Sequence, residues 1–71
     1  MQIEMHFLPE PGPTATPVFI PNVILGDDQA GLIPNIGDSL TGTDGHIRSV
    51  KLRNFTFTIQ GVLVLIYCVP M

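Results

Sequence analysis

His46-Ile47-Arg48-Ser49-Val50-Lys51-Leu52-Arg53-Asn54-Phe55-Thr56-Phe57-Thr58-Ile59, then Gln60-Gly61, then Val62-Leu63-Val64-Leu65-Ile66-Tyr67-Cys68-Val69, is the stretch that decides the fold. Its first run is long and rich in β-branched and aromatic residues, which suit a pleated, half-buried surface. Gln60-Gly61 has the length of a two-residue hairpin turn between two apolar runs. The second run does not alternate, so both faces of that strand are apolar. One face enters a core. The other needs a cover, from the long N-terminal loop or from a second subunit. Pro70 stops the strand.

Moving toward the N-terminus, Gly42-Thr43-Asp44-Gly45 is a turn, because Asp-Gly accepts positive φ at small cost. Ser39 to Thr41 is expected as a short strand, and Pro34 and Gly37 keep the preceding segment irregular. Gly26 to Gly31 reads as a turn or a single helical turn. Val18 to Leu25 reads as extended, with Pro21 placing it at an edge or a bulge. Met1, Ile3, Met5 and Phe7 alternate with Gln2, Glu4 and His6, the pattern of a half-buried strand. Pro9-Glu10-Pro11-Gly12-Pro13 ends it, since each proline lacks the N–H a ladder needs. No amphipathic helix and no internal repeat is evident.

These elements add up to an all-β single domain over 1–71, with about five strands in a small barrel or a strongly bent antiparallel sheet. Two stretches carry a resemblance. Ile33-Pro34-Asn35-Ile36-Gly37-Asp38-Ser39-Leu40 has an apolar-Pro-x-apolar-Gly-Asp-x-apolar pattern, and Val50-Lys51-Leu52-Arg53-Asn54-Phe55 gives apolar-x-x-Arg-x-Phe before a hairpin. Together they resemble small SH3-like β-barrel proteins of bacteria and their phages, over about residues 32 to 67. The resemblance implies a five-stranded SH3-like barrel and carries over no functional residue.

Size sets the stability problem. A domain near 60 residues buries only about 60% of the surface its unfolded chain exposes. Small domains supplement that with disulfides, a metal or a partner chain. Cys68 is the single cysteine of the 71-residue chain, which excludes an intrachain disulfide. His6, His46 and Cys68 show no metal-ligand spacing, so neither a metal nor a cofactor is expected. Self-association is the remaining supplement. Charged residues make up only 13% of the chain, which leaves much apolar surface to cover. The longest apolar run, Val62 to Val69, is far short of the roughly 20 residues a membrane helix needs. With no leader pattern in the first 16 residues and a lone free cysteine, a cytoplasmic setting is expected.

Candidate chemistry is sparse. Gly37-Asp38-Ser39-Leu40 spells the G-D-S-L signature of a hydrolase family in which the serine is the nucleophile. A serine nucleophile needs a base and an oxyanion site within hydrogen-bond reach. That family takes its acid and base from a C-terminal Asp-x-x-His. Here nothing after Asp44 is acidic, and Asp44-Gly45-His46 has the wrong spacing, so no enzyme is expected. Asp38, Asp44 and Gly45 faintly suggest a calcium loop, but with Gly45 aligned on the loop glycine Leu40 and Lys51 occupy the end positions, which rules it out. Asn54-Phe55-Thr56 matches a glycosylation acceptor that, without a leader, is expected to stay idle. His6 and His46 read as solvated strand residues, and Cys68 as a small buried hydrophobe.

Charge position is more informative than the net −3. All six acids lie at or before Asp44, and all three basic residues, Arg48, Lys51 and Arg53, lie close together on one strand. On a regular strand Lys51 and Arg53 share a face with Ser49 and Phe55, while Arg48 points the other way unless a bulge intervenes. Two readings are open. Glu4, Asp27 or Asp28 neutralises these cations internally, or Arg48, Lys51 and Arg53 anchor a small anionic ligand or a protein partner. The proline-rich loop is a second candidate contact. Three cations in an acidic chain offer little counterion release, so nucleic acid is the least favoured partner. The expected function is non-enzymatic binding by a self-associating barrel, in the manner of a phage or accessory-gene inhibitor. The alternative is a structural subunit of a virion or secretion assembly.

Overall fold

We describe residues 2–10 and 17–71 of a computed structural model of the chain. Five strands form in chain order: β1 (Gln2–Pro9), β2 (Val23–Leu25), β3 (Ser39–Thr41), β4 (Ile47–Phe57) and β5 (Gly61–Pro70), with a 3-10 helix at Asp27–Leu32. They make one mixed sheet in the order β2-β1-β5-β4-β3. The sheet curls through 240° into a half-barrel. β5, the strand with no polar face, lies at its centre, which is where an apolar strand loses most water contact.

Three of the four strand pairs are antiparallel, and β1 pairs with β5 in parallel from Gln2↔Gly61 to Pro9↔Cys68. Alternation in β1 fixes which side chains face inward but says nothing of strand direction. The core is set by that register. Ile3 faces Val62, Met5 faces Val64 and Phe7 faces Ile66. These inward side chains, with Leu25, Val50 and Cys68, are the buried hydrophobic residues, except that Val62 is half-buried.

The concave side is closed by irregular chain rather than by a second sheet. Val18, Ile20 and Ile33 are half-buried and pack on the core from segments that make no ladder. Extended chain was expected over Val18 to Leu25, but pairing is confined to Val23–Leu25. Pro17 and Pro21 offer no backbone N–H upstream of it, so side-chain burial holds that segment instead. The Gly26 to Gly31 turn is the 3-10 helix, whose first turn is closed by Gln29: its backbone N–H donates to Gly26 O and its side-chain Oε1 accepts from Gly26 N–H. Of the stop sequence Pro9 to Pro13, Pro9 ends β1, and Pro11, Gly12 and Pro13 lie outside the described residues.

β4 carries a bulge. Val50 faces Cys68 and Leu52 faces Tyr67, so Lys51 is the extra residue. A bulge reverses the in-out parity of the residues beyond it. Before it, Arg48 and Val50 face the core. After it, Arg53, Phe55 and Phe57 take the inward side, opposite Ile66, Val64 and Val62.

Candidate functional site

The three cations of β4 answer to three different neighbours. Arg48 is 3% exposed and is clasped on every side. Its Nη2 donates to Asp44 Oδ2 at 3.0 Å and to Pro17 O at 3.2 Å. Its Nη1 donates to Asp44 Oδ1 at 3.3 Å and to His46 O at 3.5 Å. The pairing with Asp44 is bidentate, the fork geometry that a guanidinium shares with a carboxylate. The β3–β4 turn that supplies Asp44 works because Gly45 takes φ +80°. The same turn grips the strap of chain above it, since Thr43 N–H donates to Phe19 O at 2.7 Å. Arg48 therefore staples the segment at Pro17 to the hairpin, and its charge faces no open surface.

The partner of Arg48 has an electrostatic signature. Hydrogen bonds from Arg48 pull the Asp44 carboxyl down from 3.8 to about 2, against desolvation that pushes it up, with the His46 backbone N–H assisting. A carboxyl whose pKa is lower in the folded chain binds fewer protons there than when unfolded. Its stabilisation is present above the unfolded value of 3.8 and is lost as the pH falls toward 2. Asp44→Asn is expected to melt below the wild type at neutral pH, with the gap closing in that acid window. A gap that stays constant into acid would show that the Asp44 charge is not what holds Arg48.

Lys51, at the bulge, is exposed and forms a surface ion pair with Glu10. The pair flanks a small apolar hollow of about 190 Å³ against Leu52 and Tyr67, on the outer face. Arg53 is half-buried and, among the described residues, donates to neutral acceptors, Pro34 O and Asn35 Oδ1, both at 3.4 Å. Its guanidinium carbon stands 5.5 Å from the centre of the Phe55 ring, a cation–π arrangement. Of the acids expected to neutralise this strand, Glu4 instead receives His6 Nε2 at 2.8 Å. Among the described residues Arg48 pairs with Asp44 and Lys51 with Glu10. Asp44 sits four residues from Arg48, across a turn whose geometry could have been anticipated from Asp44-Gly45.

The remaining candidates are dispersed. Ser39 Oγ donates to Met71 Sδ at 3.5 Å, Asp38 Oδ2 accepts from Asn35 N–H at 2.7 Å, and His46 Nδ1 lies 3.6 Å from Asp44 Oδ2. Cys68 is buried, and that burial pushes its thiol pKa up. Among the described residues no group of three or more His, Cys, Asp or Glu gathers where it could hold a metal, and no helix is long and apolar enough to cross a membrane.

Sequence reasoning missed the apolar surface of the β4–β5 arm. Phe55, Phe57 (79% exposed) and Ile59 (106% exposed) run along β4 to the hairpin tip. Beside the tip an open cleft of about 590 Å³ is walled by Gln2, Glu4, Ile59, Gln60 and Leu63. The bulge was the missing signal. Without it Phe55 and Phe57 share the outer face with Ser49 and Lys51, and with it they take the inward side, opposite Val64 and Val62, yet stay exposed. Compared with known proteins, the chain matches no family model, no curated protein and no solved structure.

Proposed function

We propose that this protein is a non-enzymatic interaction module that associates with itself and presents a small β half-barrel to a protein partner. The observation that supports this reading is the ratio of apolar surface to core. Among the described residues eleven large hydrophobic side chains are exposed, against eight hydrophobic residues buried. Exposed apolar area gathered in a patch favours a macromolecular partner over a small polar ligand. The cations favour the same side. Arg48 and Lys51 are already paired with carboxylates, so an anion site would have to rely on Arg53. The likeness to small SH3-like barrels of bacteria and phages agrees with a curled five-stranded sheet. A buried, unpaired Cys68 suits a reducing, cytoplasmic setting.

Light scattering coupled to sizing tests the reading. The expected mass is two or more times the 7.7 kDa chain, falling on dilution. A 7.7 kDa particle at every concentration would remove self-association. A mass that grows without limit would favour the structural-subunit reading, which the unpaired sheet edges also support. Retardation of DNA or RNA at low salt, or anion binding lost in Arg53→Ala, would instead favour the ligand readings.

A further inference from the structure

We infer that the self-association proposed above is a two-fold dimer built by antiparallel pairing of β4 with β4 of a second copy, centred on Thr56. The first support is an open edge. β3 covers β4 only over Ile47–Ser49, and the turn before it adds bonds at Val50 alone, with Gly37 N–H to Val50 O at 2.9 Å and Val50 N–H to Asp38 O at 3.0 Å. Beyond the bulge, among the described residues, no backbone bond reaches the outer edge of β4. Such an edge is a template for another strand. Short length, proline or charge usually blunts it. Asn54-Phe55-Thr56-Phe57 has neither proline nor charge.

Hydrogen-bond parity then selects which groups are free. Thr58 and Gly61 exchange backbone bonds across the β4–β5 turn, with Thr58 N–H to Gly61 O at 2.8 Å. Counting back by twos, Thr56 and Asn54 also direct their backbone groups at β5. Phe57 and Phe55 therefore direct theirs outward.

A second copy satisfies those groups with its own identical edge. Turned by a two-fold at Thr56, Phe55 of each chain meets Phe57 of the other in a hydrogen-bonded pair. Thr56 meets Thr56 in the close, non-hydrogen-bonded geometry. Aromatic–aromatic and Thr–Thr pairs are both favourable cross-strand neighbours. Arg53 of each copy falls opposite Ile59 of the other, so no like charges face each other. Phe55, Phe57 and Ile59 expose on the order of 400 Å² per copy, which with the edge backbone approaches the lower bound of a specific interface, about 1,200 Å² in total.

Cross-linking tests the register and sizing tests the association on which it rests. Thr56→Cys places two thiols opposite each other across the axis, where directly facing Cβ atoms lie about 4.5 Å apart. With oxidised glutathione the variant is expected to run mainly as a disulfide-linked dimer on a non-reducing gel. Asn54→Cys serves as the control. In this register its thiols sit four residues apart along the strand, about 14 Å, and are expected to stay unlinked. The native Cys68 is buried and does not compete. A dimer in scattering that links through Asn54→Cys, or through neither variant, overturns the Thr56-centred edge but leaves self-association standing. A monomer at all concentrations overturns both.

Discussion

Gly61→Ala is expected to remove a large part of the stability of this chain and to lower its melting temperature steeply. A Cβ at Gly61 would stand 2.0 Å from Gln2 O and 2.9 Å from Gln2 C and Gln2 N. Real Cβ atoms do not approach that closely, and all three atoms are backbone, so no rotamer change relieves the contact. The φ of +156° at Gly61 adds a conformation that side chains rarely adopt. Gln2↔Gly61 is the first pair of the parallel β1–β5 ladder, so β1 would be forced off at its start. β1 supplies Ile3, Met5 and Phe7, three of the eight buried hydrophobic residues. Overpacking costs about 1–3 kcal/mol and sometimes more, and backbone strain adds roughly 1–3 kcal/mol. A chain of this length has a total stability of about 4–11 kcal/mol. Far-ultraviolet circular dichroism with thermal melting checks the result. A cooperative melt at the wild-type temperature would mean that β1 does not lie against Gly61.

That prediction rests on a contact no pattern in the chain announces. Reading Gln60-Gly61 as the two-residue turn rests on local chemistry; the hairpin forms there, but one residue earlier, with Ile59 and Gln60 between the paired Thr58 and Gly61, and Gly61 opens β5. The close approach of Gln2 depends on a partner 59 positions away in parallel register. Alternation in β1 and greasiness in β5 are the same whether the strands run together or opposed. The strand positions were legible for this reason: Ser39–Thr41, β4 and β5 each advertise themselves through local composition and turn residues. The order and direction of the sheet come from how the connections pack, which lies in no single segment.

The cations illustrate the same limit. Their clustering on β4 is plain from the sequence, and so is the possibility that a bulge reorients Arg48. Where the bulge falls is a property of pairing with β5. Its placement at Lys51 turns Arg53 inward onto Phe55 and leaves Lys51 beside Glu10. Lys51 at the bulge pairs with Glu10, while Arg48, ahead of it, takes Asp44 from the β3–β4 turn, and strand alternation alone brings neither carboxylate near. The exposed aromatics beyond the bulge are the complement of that shift, because the parity change turns Phe55 and Phe57 to the inward side, opposite Val64 and Val62.

Ile66→Ala should lower the urea midpoint by about 2 M or more, the second large effect in this fold. Ile66 is fully buried on the central strand, opposite Phe7 on β1 and Arg53 on β4. Truncating such a side chain removes transfer free energy and leaves a cavity, together about 2–5 kcal/mol. With a urea slope near 1 kcal/mol/M for so small a chain, that cost becomes the midpoint shift. Collapse offers little relief, since Ile66 is hydrogen-bonded into the sheet between two strands and its neighbours Val64 and Cys68 are held in the same ladder. Ile59→Ala is the matched control. Ile59 is fully exposed at the hairpin tip, and surface truncations usually fall within about 0.5 kcal/mol. Its midpoint should stay at the wild-type value when measured at concentrations where the chain is monomeric, because association would otherwise add its own stabilisation. In the two-fold register Ile59 lies against Arg53 of the partner copy, so its loss should weaken association while leaving the monomer intact. Ile66→Ala should do the reverse in kind, by destabilising the monomer on which any assembly depends. Equal midpoints for the two variants would mean that the half-barrel core is not where the chain gains its stability.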